Sequence, residues 1–121
     1  MAKNVAEGRR GRRSDCPVAG ALDLLGDRWT LLVVRDLLFG RARYGDLLRS
    51  AEAIPTNILA ERLRRLQEAG VVEAVPYSQH PPRFEYHLTA RGRELAAVVR
   101  SIAAWGLANL PETRAPALPT D

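Results

Sequence analysis

Apolar residues recur along this chain at helical spacing in some stretches and in strict alternation in others, and the switch between the two outlines its elements. In "PVAGALDLL" (residues 17–25) Val18, Ala21, Leu22 and Leu25 share one face, with Pro17 at a first helical position and Gly26 just past the last periodic residue. These signals bracket a short helix. "RWTLLVVRDLLFG" is apolar nearly all round, with Arg35 and Asp36 its only charged pair after Arg28, and Gly40 closes it. A helix of that kind has to be covered on most sides, so it is expected at the centre of the core. "RYGDLLRSAE" repeats the pattern on a smaller scale, with Tyr44, Leu47 and Leu48 inward and Arg43 and Arg49 outward, and predicts a third, short helix.

In "AIPTNILAERLRRLQEAG" Pro55 suits a helix start, Gly70 suits its end, and Leu59, Leu63 and Leu66 fall on one face. At about 100° per residue, Asn57, Ala60, Glu61, Arg64 and Arg65 then lie toward the opposite side, with Thr56 at the amino-terminal edge. Small and hydrogen-bonding residues on the first turn with arginines behind are what insertion into a DNA major groove requires, although ordinary surface helices carry arginines too. "VVEAVPY" and "RFEYHLT" are β-forming runs joined by "SQHPP", which is too rigid and polar for a strand. They predict a hairpin. Phe84, Tyr86 and Leu88 alternate with Glu85 and His87, giving one buried and one wet face, and Pro76 confines the first strand to an edge or ends it.

Three helices followed by such a hairpin make a winged helix. Thr89 then caps "ARGRELAAVVRSIAAWGLANL", where Leu95, Val98, Val99, Ile102, Trp105 and Leu110 form a stripe wider than so small a domain needs. The surplus calls for a partner, most simply a second copy. The predicted class is α+β, mostly helical: a winged helix-turn-helix with extra N- and C-terminal helices for dimerisation.

Composition narrows the picture further. A chain of 121 residues with 46% hydrophobic content builds one compact domain. "GRRGRR" belongs to a basic arm (1–14) and "PETRAPALPTD" to a Pro-rich tail (111–121), both expected to be flexible, with the domain over 15–110 between them. No apolar run follows the first basic residues and none later approaches the length of a membrane span, so the expected location is cytoplasmic, on the nucleoid, with no membrane partner. One cysteine makes no internal disulfide, and with His80 and His87 the only histidines, metal-cluster readings are poor; no cofactor is expected.

The net charge of +4 resolves by segment. Lys3, Arg9, Arg10, Arg12 and Arg13 against Glu7 already account for it. In the remainder, residues 28–65 hold eight arginines against four acids, while residues 14–27 hold three acids and no base. Positive charge concentrated in mid-chain fits a polyanion on one surface and equally fits solvated helix faces.

"CPVAGALDLLGDRWTLLVVRDLLFGRARYGDLLRS", then "ILAERLRRLQEAGVV", "PPRFEYHLTARG" and a late Trp105 resemble, in order and over roughly residues 15–106, the HxlR family of bacterial winged-helix transcription regulators. The resemblance implies a homodimer built from the first and last helices, with Val18, Leu22, Leu95, Val98, Val99, Ile102 and Trp105 at the interface. It implies palindromic operator DNA as the partner, with the helix from Thr56 to Ala69 in the major groove and the hairpin tip near the backbone. Thr56, Asn57, Ala60, Glu61, Arg64 and Arg65 then face the DNA, joined by Arg43, His80 and Arg83, and repression is the sign implied. Members commonly regulate genes for aldehyde, quinone or oxidant stress, so a small-molecule or oxidant effector is a further implied partner. In some of them the cysteine corresponding to Cys16 is the sensor.

Two departures from the family pattern bear on DNA contacts. Gly-Ile-Ser often precedes the recognition helix where this chain has "AIP", so a capping hydroxyl is lost and Thr56 is the remaining candidate for a phosphate contact there. The first wing strand is often doubly basic where this chain has Ala74 and Val75, which predicts a shallower salt dependence unless the Arg-rich arm substitutes. Cys16, beside the first helix's start, is placed where a sulfur can accept from unpaired amides and where the helix dipole favours thiolate; Asp15 opposes this, and Arg12 and Arg13 assist if the arm is ordered. Sensing and simple packing are both consistent with the sequence.

Two other function classes compete. An enzyme would pair Cys16 with His80 or His87 as thiolate and base, but no oxyanion-hole motif accompanies them. A winged-helix protein-interaction adaptor would show apolar residues where the fourth helix presents arginines. Salt-dependent binding to duplex DNA separates both from the DNA-binding reading.

Overall fold

A computed structural model describes residues 12–114. Most of the basic arm and the tail beyond Arg114 lie outside the described residues, so the flexibility expected of them stays an expectation. Among the described residues eight elements follow in order: α1 (Pro17–Leu25), α2 (Thr30–Leu38), α3 (Tyr44–Leu48), α4 (Thr56–Glu68), β1 (Val72–Gln79), β2 (Pro82–Leu88), α5 (Ala90–Arg93) and α6 (Leu95–Asn109). Among the described residues no helix is long and apolar enough to cross a membrane.

The core forms where α2, α4 and the hairpin's base meet. Val33, Val34 and Leu37 of α2 are buried against Leu59, Leu63 and Leu66 of α4, with Leu47, Ile54, Val71, Val72, Leu88 and Val99 around them. The four-then-three spacing of the α4 leucines puts all three on one stripe, and Leu59 and Leu66 are fully inaccessible. Asp36 is buried on α2 as well, beside the Arg35 guanidinium at 3.0 Å. Arg35 also reaches Glu52 at 2.7 Å, joining α2 to the loop before α4.

A tight joint connects α4 to the wing. Gly70, at φ +75°, takes the left-handed conformation that lets the chain leave the helix at once. Thr89 closes the hairpin's far end: its amide donates to the Val71 carbonyl, its hydroxyl donates to the Gly70 carbonyl at 2.6 Å, and the hydroxyl accepts from the Gly92 amide. A Cβ on Gly92 would stand 2.1 Å from the Val71 carbonyl oxygen, so only glycine lets α5 sit this close.

Three details differ from the sequence-based expectations. The strands run further than expected: Ser78 pairs with Arg83 and Gln79 with Pro82, leaving only His80 and Pro81 as the turn, and a bulge lies between Pro76 and Ser78. Pro76 lies on β1, an edge strand, and Pro82 at the hairpin tip, so prolines cost the ladder little there. Phe84 is exposed rather than in the core, because the ribbon projects past the body that covers Tyr86 and Leu88. The last helix is interrupted at Glu94, so Thr89 caps the short α5 and not α6 directly.

A helix face and wing as candidate nucleic-acid interface

Burial of the three leucines fixes which side of α4 faces outward. Thr56, Asn57, Ala60 and Arg64 are exposed along that side. Glu61 lies beside them, between the guanidinium groups of Arg62 and Arg64. Arg64 is bracketed by Glu61 at 3.2 Å and Glu68 at 2.6 Å, one helical turn to either side. Such exposed pairs are weak, so the guanidinium is held ready and released at small cost.

Arg65 departs from this group. Its guanidinium turns sideways and donates to the Asp23 and Leu24 carbonyls at 3.2 and 3.3 Å, in the last turn of α1. A residue 100° on from Arg64 falls on the helix flank, and the bare carbonyls at a helix C-terminus attract a cation. Arg62, one turn earlier, reaches Asp27 in the α1–α2 junction at 2.8 Å. Asp27 also accepts from the Trp29 and Thr30 amides and the Thr30 hydroxyl. Burial disfavours its charge, but Thr30, Arg62 and the Trp29 amide together hold its carboxyl well below the usual carboxylate range.

The amino-terminal edge of α4 is built against α3. The Tyr44 hydroxyl donates to the Thr56 carbonyl at 2.6 Å and lies 2.8 Å from the Thr56 hydroxyl. With its one proton on the carbonyl, the phenol oxygen accepts from Thr56, so that hydroxyl turns lone pairs, not its proton, toward solvent. A phosphate needs donors. Those at this end are the first-turn amides, which no side chain caps.

Arg43 stands over the Tyr77 ring at 3.8 Å and pairs with Glu85 at 3.1 Å, fastening the wing to α3; Ala42 accepts from the Tyr86 amide as well. Arg83 and His80 are exposed at the wing's outer end, and His87 is engaged with Glu85 rather than with Cys16. Arg43, Tyr77, Arg83 and Phe84 line a shallow concavity between wing and α3, next to the Tyr44–Thr56 contact. Asn57, Ala60, Arg64, Arg83 and His80 are thus presented by α4 and the wing, while Arg65 is withdrawn and Arg43, at the start of α3, is engaged with Glu85 and Tyr77.

Sequence reading did not pick out Tyr44, Asp27, Arg62 or Tyr77 as part of this surface. "DRWT" held a usable signal for Asp27, an aspartate two and three residues before amides that need a partner. The other three owe their positions to tertiary packing.

The set expected at a dimer interface also divides. Val99 is buried in the chain's own core and Leu95 packs against it, because α6 crosses α2; they are not part of an outward stripe. Val18, Leu22, Val98, Ile102 and Trp105 are exposed, Val18 at 65% and Trp105 at 63%, together with Leu107 and Leu110. Cys16 is exposed at the N-cap of α1. No helix amide donates to its sulfur, in contrast to the capping role expected, and Ser14 instead accepts from the Cys16 amide at 3.2 Å. Arg13, counted with the flexible arm, pairs with Asp23 at 2.8 Å.

A model of HxlR-like helix-turn-helix proteins matches residues 24–114. The chain belongs to the HxlR-like helix-turn-helix family of transcriptional regulators. Within this family, the uncharacterised HTH-type transcriptional regulator Rv3095 of Mycobacterium tuberculosis is 46% identical over 99 residues, 82% of this chain and 62% of that protein. The chain therefore spans under two thirds of the length of the mycobacterial relatives it matches. Among solved structures, the redox regulator HypR in its reduced form gives a TM-score of 0.73 at 32% identity, covering 79% of this chain and 95% of that one. The reduced form of the transcriptional regulator YodB from Bacillus subtilis gives 0.67 at 30% identity, covering 84% of this chain and all of that one. The winged-helix fold expected of an HxlR-like chain is the fold observed.

Proposed function

We propose that this HxlR-like chain is a sequence-specific DNA-binding transcriptional regulator that acts as a homodimer on a palindromic operator, with repression as the sign the family implies. The observation that carries the reading is the two-sidedness of α4. Leu59, Leu63 and Leu66 are consumed by the core, while Asn57, Ala60 and Arg64 are exposed on the opposite side beside a wing bearing Arg83. Asparagine and arginine make bidentate contacts to adenine and guanine edges, each worth about 1–3 kcal/mol of discrimination. Arg83 contacts backbone and positions the complex without reading sequence. Arg64→Ala should relax preference at one position in each half-site, whereas Arg83→Ala should weaken all duplexes alike. Equal loss of affinity for operator and scrambled DNA in Arg64→Ala would remove Arg64 from base reading.

A second reading concerns control. Cys16 is exposed at the start of α1, and the likeness to the redox regulator HypR favours an oxidant or electrophile response through it. With a single cysteine in the sequence, the products open to it are a disulfide between subunits, a mixed disulfide with a small thiol, or an adduct. Diamide should weaken operator binding reversibly, and Cys16→Ser should keep binding and lose the response. An unchanged wild type, or a Ser variant that responds equally, leaves Cys16 structural.

A further inference from the structure

The recognition surface of α4 is fixed by more than its leucines. One turn of the helix carries Arg62 and Arg65, and both reach the same place, the end of α1 and its junction with α2. Arg65 supplies donors to the Asp23 and Leu24 carbonyls, which the helix itself leaves without partners because they lie in its last turn. Arg62 donates to an Asp27 oxygen that also accepts from the Trp29 and Thr30 amides. Both members of that pair are largely enclosed, at 17% and 25% side-chain exposure, so the geometry is held rather than sampled. α1 in turn carries the exposed apolar residues Val18 and Leu22, with Cys16 at its start.

From this arrangement we infer that Arg62 and Arg65 are positioning residues, which couple the orientation of α4 to α1 and so make the half-site spacing that the protein accepts depend on how α1 is packed. The inference rests on the DNA-binding reading above, and it removes Arg65 from the set of DNA contacts. A guanidinium spanning two carbonyls 3.2 and 3.3 Å away resists rotation of α4 about its own axis. The Arg62–Asp27 pair resists sliding along that axis. A shift of α1, by repacking of its apolar face or by modification at its N-cap, is therefore passed to α4 through these bonds and not only through the soft packing of the core.

The test uses the full chain, a series of duplexes bearing the selected half-site at different separations, and scrambled duplex as reference. Preferential binding of wild type to any half-site is checked first; its absence would refute the DNA-binding reading itself rather than this inference. Arg65→Met keeps the aliphatic stem and deletes the donors. Operator affinity should fall roughly tenfold, with a broadened spacing preference, unchanged affinity for scrambled duplex and an unchanged salt slope. Arg65→Lys, which keeps a cationic donor group but not the planar fork, should recover part of the spacing preference. If Arg65→Met weakens operator and scrambled duplex alike and makes the salt slope shallower by about 1.8, as loss of one phosphate contact per subunit requires, Arg65 is a backbone contact and the inference is wrong. It is equally wrong if the Met variant keeps wild-type affinity and spacing preference. Thermal unfolding of both variants accompanies the assay, and spacing preference is read as a ratio, which a mere loss of folded protein does not move.

Discussion

α4 and α6, the two longest helices among the described residues, spend their apolar residues in opposite ways. α4 has a narrow stripe of three leucines, all buried within the chain, so the side opposite them is left for a polar ligand. α6 buries only Ala96 and Val99, and leaves Val98, Ile102, Trp105 and Leu107 in contact with water. One helix buries its leucines within the single chain; the other leaves most of its apolar residues exposed. A cleft of about 260 Å³ between α2 and α6, lined by Leu31, Leu32, Ile102 and Leu107, extends the uncovered apolar surface. A contiguous apolar surface of this kind is costly to leave wet, and the proposed second copy, applied across α1 and α6, would cover it.

The largest effect expected of any change that tests this contrast is on association. Trp105→Ala should leave the single chain folded, since the ring is 63% exposed there, and should weaken the dimer by about 3–5 kcal/mol per ring if the partner encloses it. Sedimentation reads this directly, with operator affinity falling in parallel. A wild type that sediments as a monomer at micromolar concentration with operator binding intact would break the contrast.

Leu63→Ala addresses the opposite helix. It removes a side chain that is 2% exposed from the core beneath the recognition surface, and should destabilise the fold by about 2–5 kcal/mol in urea unfolding without first affecting self-association. A loss under 1 kcal/mol would mean that α4 is not held by its leucines.

The smallest effect is a pH dependence. The Arg35 guanidinium holds Glu52 down from 4.5 to about 2, against burial and with help from the Ser50 hydroxyl. A carboxyl whose folded value lies below its unfolded one adds stability that is complete above pH 4.5 and disappears as pH falls toward about 2. Glu52 is partly open to solvent, so salt should reduce the effect. Urea midpoints for wild type and Glu52→Gln should differ at neutral pH and converge toward pH 2; a constant difference would place the stabilisation elsewhere.

Much of this architecture was legible in the sequence because it rests on short-range periodicity. The α4 leucines, the start of α1 at Pro17 and the hairpin all follow from spacing and from Pro and Gly punctuation. What was not legible depends on contacts between distant residues. Arg65 looks like a surface arginine until the carbonyls of α1 are seen beside it, 42 and 41 residues away in sequence. Leu95 and Val99 share one apolar pattern with Ile102 and Trp105, and only the crossing of α6 over α2 divides that pattern into core and surface. Charge pairing is likewise set in part by tertiary contacts: of the arginines over residues 28–65, Arg35, Arg43, Arg49, Arg62 and Arg64 are paired to carboxylates, so the surface is less bare than its composition suggests.

The central claim is that two copies of this chain read DNA sequence through α4, and selection from a random duplex pool tests it most directly. The bound fraction should enrich an inverted repeat whose half-site centres lie about one helical turn, 10–10.5 base pairs, or a multiple of it apart. Two chains should occupy each selected duplex, and Arg64→Ala should lose the preference at one symmetric pair of positions. A bound pool with no enriched sequence, or a single unrepeated site occupied by one chain, would contradict it.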